Sequence, residues 1–87
     1  MRNSRVLAKA FRHEENIELM AMMAEDPEKE YDKYEIAEIW GTDVGLVHNA
    51  FVWLELAEIV KKSGEKYVLN EDFRGSLAKF LAEYLSP

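Results

Sequence analysis

Residues 42–69 constrain the fold of this chain most, because a helical pattern there runs directly into a hairpin pattern. The apolar positions of the first half recur at steps of three or four residues: Val47, Ala50, Phe51 and Leu54. Thr42 or Asp43 can cap the start, because a short side-chain oxygen accepts a bond from an unpaired backbone N–H. The spacing predicts a helix over about residues 43–57 with one apolar stripe.

The second half of this stretch predicts a β-hairpin over about residues 59–69. Residues 59–60 begin a β-favouring run, and a second run follows at residues 67–69. Gly64 between the two runs can adopt the positive φ that closes a short hairpin. We expect a three-residue loop with Gly64 last, because Ser63 tolerates a positive φ poorly in a two-residue turn.

A helix followed by a hairpin with lysines at its tip resembles the core of a winged helix-turn-helix domain. The segments VHNAFVWLELAEIV and Gly64…Tyr67-x-Leu69 carry this resemblance. Upstream, VLAKAFRHEENIELMAMM resembles the first two helices of the arsenic-repressor-type (ArsR-like) regulators, and YEIAEIWG resembles the helix before the turn. The resemblance covers nearly the whole chain. It implies a mainly α fold with a small β-hairpin (α+β), with about five helices and a two- to three-stranded wing in one domain over residues 1–87.

The other helices are predicted from periodicity. A short amphipathic helix is expected over residues 4–12, and a second over residues 14–25 with its apolar stripe on Ile17, Met20, Ala21 and Ala24. A third, around residues 34–40, presents Ile36, Ala37, Ile39 and Trp40 and ends at Gly41, where a left-handed residue is common. Tyr31 is expected in a very short strand that pairs with the hairpin.

A last helix is predicted over about residues 73–85, and its apolar face is broad for a domain of 87 residues. In ArsR-like proteins the first and last helices pack across a two-fold dimer interface, so the resemblance implies a homodimer. The residues expected at this interface are Val6, Leu7, Phe11, Phe73, Leu77, Phe80, Leu81 and Tyr84. The alternative is that the last helix closes the core of its own chain.

Charge is unevenly distributed along the chain, whose net charge is −6. Residues 1–13 carry four basic residues and no acid, whereas residues 14–60 carry thirteen acids against two lysines. Residues 61–67 are basic again, with three lysines and one glutamate. An acidic domain repels a polyphosphate at long range, which disfavours strong non-specific DNA binding. The basic start and the basic hairpin are local exceptions that can contact phosphates.

The composition gives no indication of an enzyme, a metal site or a cofactor. The chain has no cysteine, and its two histidines, His13 and His48, lack the spacing of a metal site. No serine stands in a nucleophile motif, and the glycines are too scattered to cradle a phosphate. No apolar run is long enough to span a membrane, and the start is too charged for a secretory signal. We therefore expect a cytoplasmic protein that is not an enzyme.

Aligned by pattern with winged helices, the chain has a set of candidate DNA-binding residues. The groove-facing positions of the helix are Val44, Gly45, His48, Asn49 and Val52, and the lysines of the wing are Lys61, Lys62 and Lys66. Asn49 can make a bidentate adenine contact, and His48 can reach a base edge or a phosphate. This helix face lacks arginine, the residue that most often contacts guanine. Glu58 stands where relatives usually have glycine before the first strand of the wing.

Two functions of different classes follow from these residues. The first is a homodimeric transcriptional regulator that places its recognition helix in the major groove of double-stranded DNA and its basic wing on the backbone or minor groove. The second is a winged-helix module for protein–protein interaction with little or no DNA binding. In that case Val44, Val52 and Leu56 form a patch for a protein partner, because an exposed apolar patch usually marks an interface.

Overall fold

The computed structural model describes residues 9–75 and residue 82. Three helices lie wholly within this part of the chain: α1 (Glu14–Glu25), α2 (Lys33–Trp40) and α3 (Val44–Leu56). Three strands accompany them: β1 (Glu30–Tyr31), β2 (Val60–Ser63) and β3 (Lys66–Leu69). The order α1-β1-α2-α3-β2-β3 gives a small α+β domain with a winged-helix-like layout.

The predicted count of five helices concerns the whole chain, of which the structure describes residues 9–75 and residue 82. Besides the three complete helices, residues 9–10 and 73–75 are helical at the two limits of the described range, and so is residue 82. The helix predicted over about residues 43–57 runs from Val44 to Leu56. Most residues expected at the dimer interface lie outside the described part of the chain: Val6, Leu7, Leu77, Phe80, Leu81 and Tyr84.

The three strands form an antiparallel sheet in the order β1-β3-β2. Tyr31 pairs with Tyr67, which confirms the short strand predicted for Tyr31. The hairpin loop is shorter than predicted: Ser63 pairs with Lys66, so the loop contains two residues and not three. Gly64 occupies the first central position with φ 67°, which is where a type II′ turn requires glycine. Ser63 thus remains in the strand and needs no positive φ.

Tyr31 also ties the sheet to the end of α1. Its hydroxyl donates to the carbonyl oxygen of Met22 at 3.2 Å, and the carbonyl oxygen of Asp26 lies 3.4 Å away. Burial raises the pKa of Tyr31, and the carboxylates of Asp26 and Glu25 raise this pKa further. Because a protonated phenol can donate a hydrogen bond, this arrangement keeps a short two-residue strand attached to the helical layer.

The core lies between α3 and the sheet. The predicted stripe of α3 is confirmed, since its four members are buried: Val47, Ala50, Phe51 and Leu54. The ring of Phe51 stacks on the ring of Tyr67 with centroids 4.1 Å apart and an interplanar angle of 6°. Both side chains are almost fully buried, so this stack joins α3 to β3 in the interior of the domain. Leu19, Met23 and Ile36 complete the core from α1 and α2.

The buried face of α1 differs from the predicted one. Asn16, Leu19 and Met23 point into the core, whereas Ile17 is 46% exposed and Ala21 and Ala24 are exposed. Asn16 is an acceptable core residue because its side-chain nitrogen donates to the carbonyl oxygen of Ala10 at 2.8 Å. This hydrogen bond offsets the cost of burying an amide, so α1 can bury a face that is not its most apolar one.

Two helices end in the same left-handed turn, one with glycine and one without. Gly41 after α2 has φ 65°, and Glu58 after α3 has φ 64°. At Glu58 the next amide, that of Ile59, donates to the carbonyl oxygen of Leu54 at 2.9 Å. The amide of Glu58 donates to Glu55 at 3.0 Å, which completes a Schellman motif. A left-handed turn that usually contains glycine thus forms here around a glutamate.

Replacing Glu58 with glycine is expected to stabilise the protein by about 1 kcal/mol, because an L-residue is strained at positive φ. In a domain of this size the gain raises the Tm by roughly 4–8 °C. Gly41→Ala is the matched control, since it introduces the same strain at the equivalent turn and lowers the Tm. Thermal unfolding followed by circular dichroism measures both changes. A Tm that does not rise in Glu58→Gly contradicts this account of the turn.

Candidate nucleic-acid interface

The outward face of α3, which we define as Val44, Gly45, His48, Asn49 and Val52, is available at the surface. Gly45, His48 and Asn49 are exposed, and Val44 and Val52 are partly buried. This exposure follows from helical periodicity, because the opposite side of α3 is occupied by the buried stripe. Asp43 is the N-cap residue, but its side chain makes no capping hydrogen bond. The structure therefore leaves all five predicted positions on one side of α3.

A lysine from the preceding helix lies beside this face. The ammonium nitrogen of Lys33 is 3.2 Å from Nδ1 of His48, a contact between residues fifteen positions apart in the sequence. Lys33 begins α2, and the adjacent Asp32 caps that helix by accepting a bond from the amide of Tyr34 at 3.0 Å. The helix α3 has no lysine or arginine of its own, but Lys33 of α2 places a positive charge beside its outward face. The sequence pattern did not indicate this contact.

A cleft of about 340 Å³ separates the start of α2 from the tip of the hairpin. We call it the lysine cleft, and its lining residues are Asp32, Lys33, Tyr34, Lys62, Gly64, Glu65, Lys66 and Tyr67. Three lysines outnumber two carboxylates in this lining, so the cleft is locally basic within an acidic domain. Lys62 extends over Tyr67, with its nitrogen 5.9 Å from the ring centroid. The cleft can attract an anion such as a phosphate.

The structure separates Lys61 from the other two lysines of the wing. Successive residues of a strand point to opposite faces of the sheet, and Lys62 shares the face of its cross-strand partner Tyr67. Lys61 pairs with Val68 on the other face and lines a different cleft, near Pro27. Lys66 precedes Tyr67 in β3, so by the same alternation it lies on the face of Lys61, but it borders the lysine cleft at the tip of the hairpin. The cleft thus contains Lys33, Lys62 and Lys66, whereas Lys61 lies outside it.

Several large apolar side chains are exposed on α2 and α3. Tyr34 is 63% exposed, Ile39 is 65%, Leu46 is 40% and Leu56 is 57%. Ile39 is one of the four apolar residues predicted on α2, of which Ile36 and Ala37 are the buried ones. Leu56 was predicted as part of a patch for a protein partner together with Val44 and Val52. Exposed apolar side chains of this kind are also typical of a surface that binds another protein.

The remaining predicted features concern dimerisation, metals and membranes. Phe11 and Phe73, both expected at the dimer interface, are partly buried against the core of their own chain.

Within residues 9–75 and residue 82, no three His, Cys, Asp or Glu side chains are grouped closely enough to hold a metal ion. In the same part of the chain, no helix has the length and apolar character needed to cross a membrane.

Comparisons of the chain with protein-family models, with curated proteins and with solved structures found no match. The outward face of α3 and the lysine cleft are therefore the features of the chain that bear on its function.

Proposed function

We propose that this protein is a homodimeric transcriptional regulator that binds double-stranded DNA. The outward face of α3 enters the major groove, and the lysine cleft binds the phosphate backbone. The observation that carries the proposal is the contact of 3.2 Å between Lys33 and His48. Because Lys33 also lines the lysine cleft, it connects the helix face and the basic hairpin into one surface.

The residue types on α3 suit the edges of bases in the major groove. Asn49 can bond both N6 and N7 of adenine, and the methyl groups of Val44 and Val52 suit the methyl group of thymine. Gly45 lets the helix approach the groove closely because it has no side chain. An α-helix fits the width of the major groove, whereas the minor groove is too narrow for it.

Phosphate contacts supply most of the affinity in this proposal. The net charge of −6 opposes DNA at long range, so attraction depends on Lys33, Lys62 and Lys66 at short range. We therefore expect modest affinity that falls steeply with salt. A homodimer compensates for weak binding of one copy, because two half-sites are bound together and the two recognition helices lie about one turn of DNA apart.

The test of this proposal is amide mapping by NMR with a duplex DNA of mixed sequence at low salt. Amides of α3, of the loop at residues 64–65 and of the start of α2 should shift on titration. Amides at the end of α1 should not shift and provide the internal control. Shifts that are confined to α1, or that are absent altogether, contradict the proposed orientation. The oligomeric mass measured on the same sample tests the homodimer.

The second candidate function, a protein-interaction module, is favoured by the exposed side chains of Ile39, Leu46 and Leu56. In that case Val44, Val52 and Leu56 contact a protein partner, and the acidic surface suits a basic one. The two functions predict opposite effects of one substitution.

Val52→Arg is expected to strengthen DNA binding several-fold in the first function, because each added phosphate contact contributes about eightfold at 0.1 M salt. In the second function the same change leaves DNA binding absent and weakens the protein complex. Val52→Ala is the matched control, since it removes the apolar side chain without adding charge. Fluorescence anisotropy with labelled duplex measures the effect. Weaker DNA binding by Val52→Arg contradicts the placement of Val52 near the backbone or groove.

A further inference from the structure

The contact between Lys33 and His48 determines which ring nitrogen of His48 carries the proton. An ammonium group has three hydrogen-bond donors and no acceptor. Nδ1 of His48, 3.2 Å from the nitrogen of Lys33, must therefore accept. In a neutral imidazole the other nitrogen, Nε2, then carries the proton and donates. His48 is exposed, so this donor is available to a ligand.

Lys33 is placed to make this contact. Among the described residues, no carboxylate lies within 4.0 Å of its ammonium group, whereas Lys29 has such a partner in Glu35 at 3.9 Å. The ammonium group lies 5.5 Å from the ring centroid of Tyr34, a distance that allows a cation–π attraction. The nearest acid in the sequence, Asp32, uses Oδ1 to accept from the amide of Tyr34. Lys33 is thus held near His48 with N–H donors to spare.

We propose that Lys33 is a positioning residue that fixes His48 as a hydrogen-bond donor, and that the two side chains together read a guanine in the major groove. Guanine presents two acceptors there, O6 and N7, and the pair presents only donors. Adenine and cytosine present amino groups, which would face another donor. The pair supplies the guanine contact that arginine usually makes. This inference rests on the proposed DNA-binding function, but its first step concerns the free protein.

The first experiment measures the tautomer of His48 in the free protein by ¹⁵N NMR in mildly alkaline buffer. In the wild type we expect one tautomer, with the proton on Nε2 and a hydrogen-bonded Nδ1. In Lys33→Met the Nδ1 resonance should move and the two tautomers should mix. His13, the other histidine of the chain, is the internal control and should not change. An Nδ1 resonance of His48 that is the same in both proteins overturns the proposal.

The second experiment measures the preference for guanine on a duplex that has been selected from a random library. Replacing one guanine with 7-deazaguanine, which lacks the N7 acceptor, should weaken wild-type binding about tenfold. Lys33→Met and His48→Ala should lose this discrimination at the same base pair. Lys29→Met is the matched control, because it removes the same charge far from α3 and should keep the preference.

The two experiments separate the inference from the function on which it rests. DNA binding with equal affinity for guanine and 7-deazaguanine at every position overturns the reading of guanine. Absence of DNA binding in the wild type overturns the proposed function and the guanine contact together. The tautomer measurement, made without DNA, still decides whether Lys33 orients His48.

Discussion

Phe51→Ala is expected to destabilise the protein by about 3–5 kcal/mol, because it removes a large buried side chain and leaves a cavity. Phe51 is fully buried, and its ring centroid lies 4.1 Å from that of Tyr67 in a stacked arrangement. The substitution thus removes a buried ring contact between α3 and β3. Since domains of this kind have roughly 5–15 kcal/mol of total stability, this loss is a large fraction of the total and should lower the urea midpoint markedly.

Urea unfolding followed by circular dichroism measures this effect. Tyr67→Phe is the matched control, because it keeps both rings and should change the stability by less than about 1.5 kcal/mol, the net contribution of one hydrogen bond. A loss below about 1 kcal/mol in Phe51→Ala would show that the stack contributes little to the stability of the fold.

The double charge reversal Lys62→Glu with Lys66→Glu is expected to weaken DNA binding by about 60-fold at 0.1 M salt. Each lost phosphate contact removes a factor of about eight at that salt concentration, since log K changes by about 0.9 per contact for each tenfold change in salt. Repulsion by the new carboxylates adds to this loss. Both lysines line the lysine cleft and are exposed, so the fold should remain intact.

The matched control is Lys29→Glu with Lys61→Glu, which changes the net charge by the same amount. Lys29 lies in the loop before β1, and Lys61 points to the opposite face of the sheet from Lys62. We expect this control to weaken binding far less than the reversal in the cleft. Equal losses in the two double variants would mean that overall charge governs binding and that the cleft has no special role.

Local patterns predicted the central part of the fold. The stripe Val47, Ala50, Phe51 and Leu54 is periodic and wholly apolar, so one face of α3 could be identified from spacing alone. The face of α1 could not, because Asn16 becomes a core residue only through its bond to the carbonyl oxygen of Ala10. A sequence pattern counts the amide of Asn16 as polar and cannot anticipate a partner six residues away.

The hairpin loop and the turn at Glu58 show two other limits of sequence patterns. Gly64 was expected as the last residue of a three-residue loop, but it is the first residue of a two-residue loop. The register of β2 and β3 decides between these two loops, because it sets which residues pair next to the turn. At Glu58 the hydrogen bonds of the Schellman motif and the burial of Ile59 and Leu54 outweigh the strain of a positive φ. Tertiary packing therefore overrides the local preference for glycine.

The candidate site was predictable only where it lies on one helix. The positions on α3 follow from the buried stripe, since the outward face is its complement. Lys33 is fifteen residues from His48, and nothing in their spacing indicates that their side chains meet. The division of Lys61 from Lys62 depends on which face of β2 packs on α3. The stack of Tyr67 on Phe51 identifies this face, because Tyr67 pairs with Lys62 and not with Lys61.

We propose that this acidic domain binds duplex DNA through a small basic surface, and a salt titration distinguishes such binding from its absence. Affinity for random duplex DNA should be measured by fluorescence anisotropy between about 50 and 200 mM salt, where such contacts change affinity most. If Lys62 and Lys66 each contact a phosphate while Lys33 contacts a base, log K should fall with log salt at a slope of about −2 per chain. A slope near zero, or no binding at the lowest salt, would contradict the claim and indicate that the exposed apolar side chains of α2 and α3 serve a protein partner.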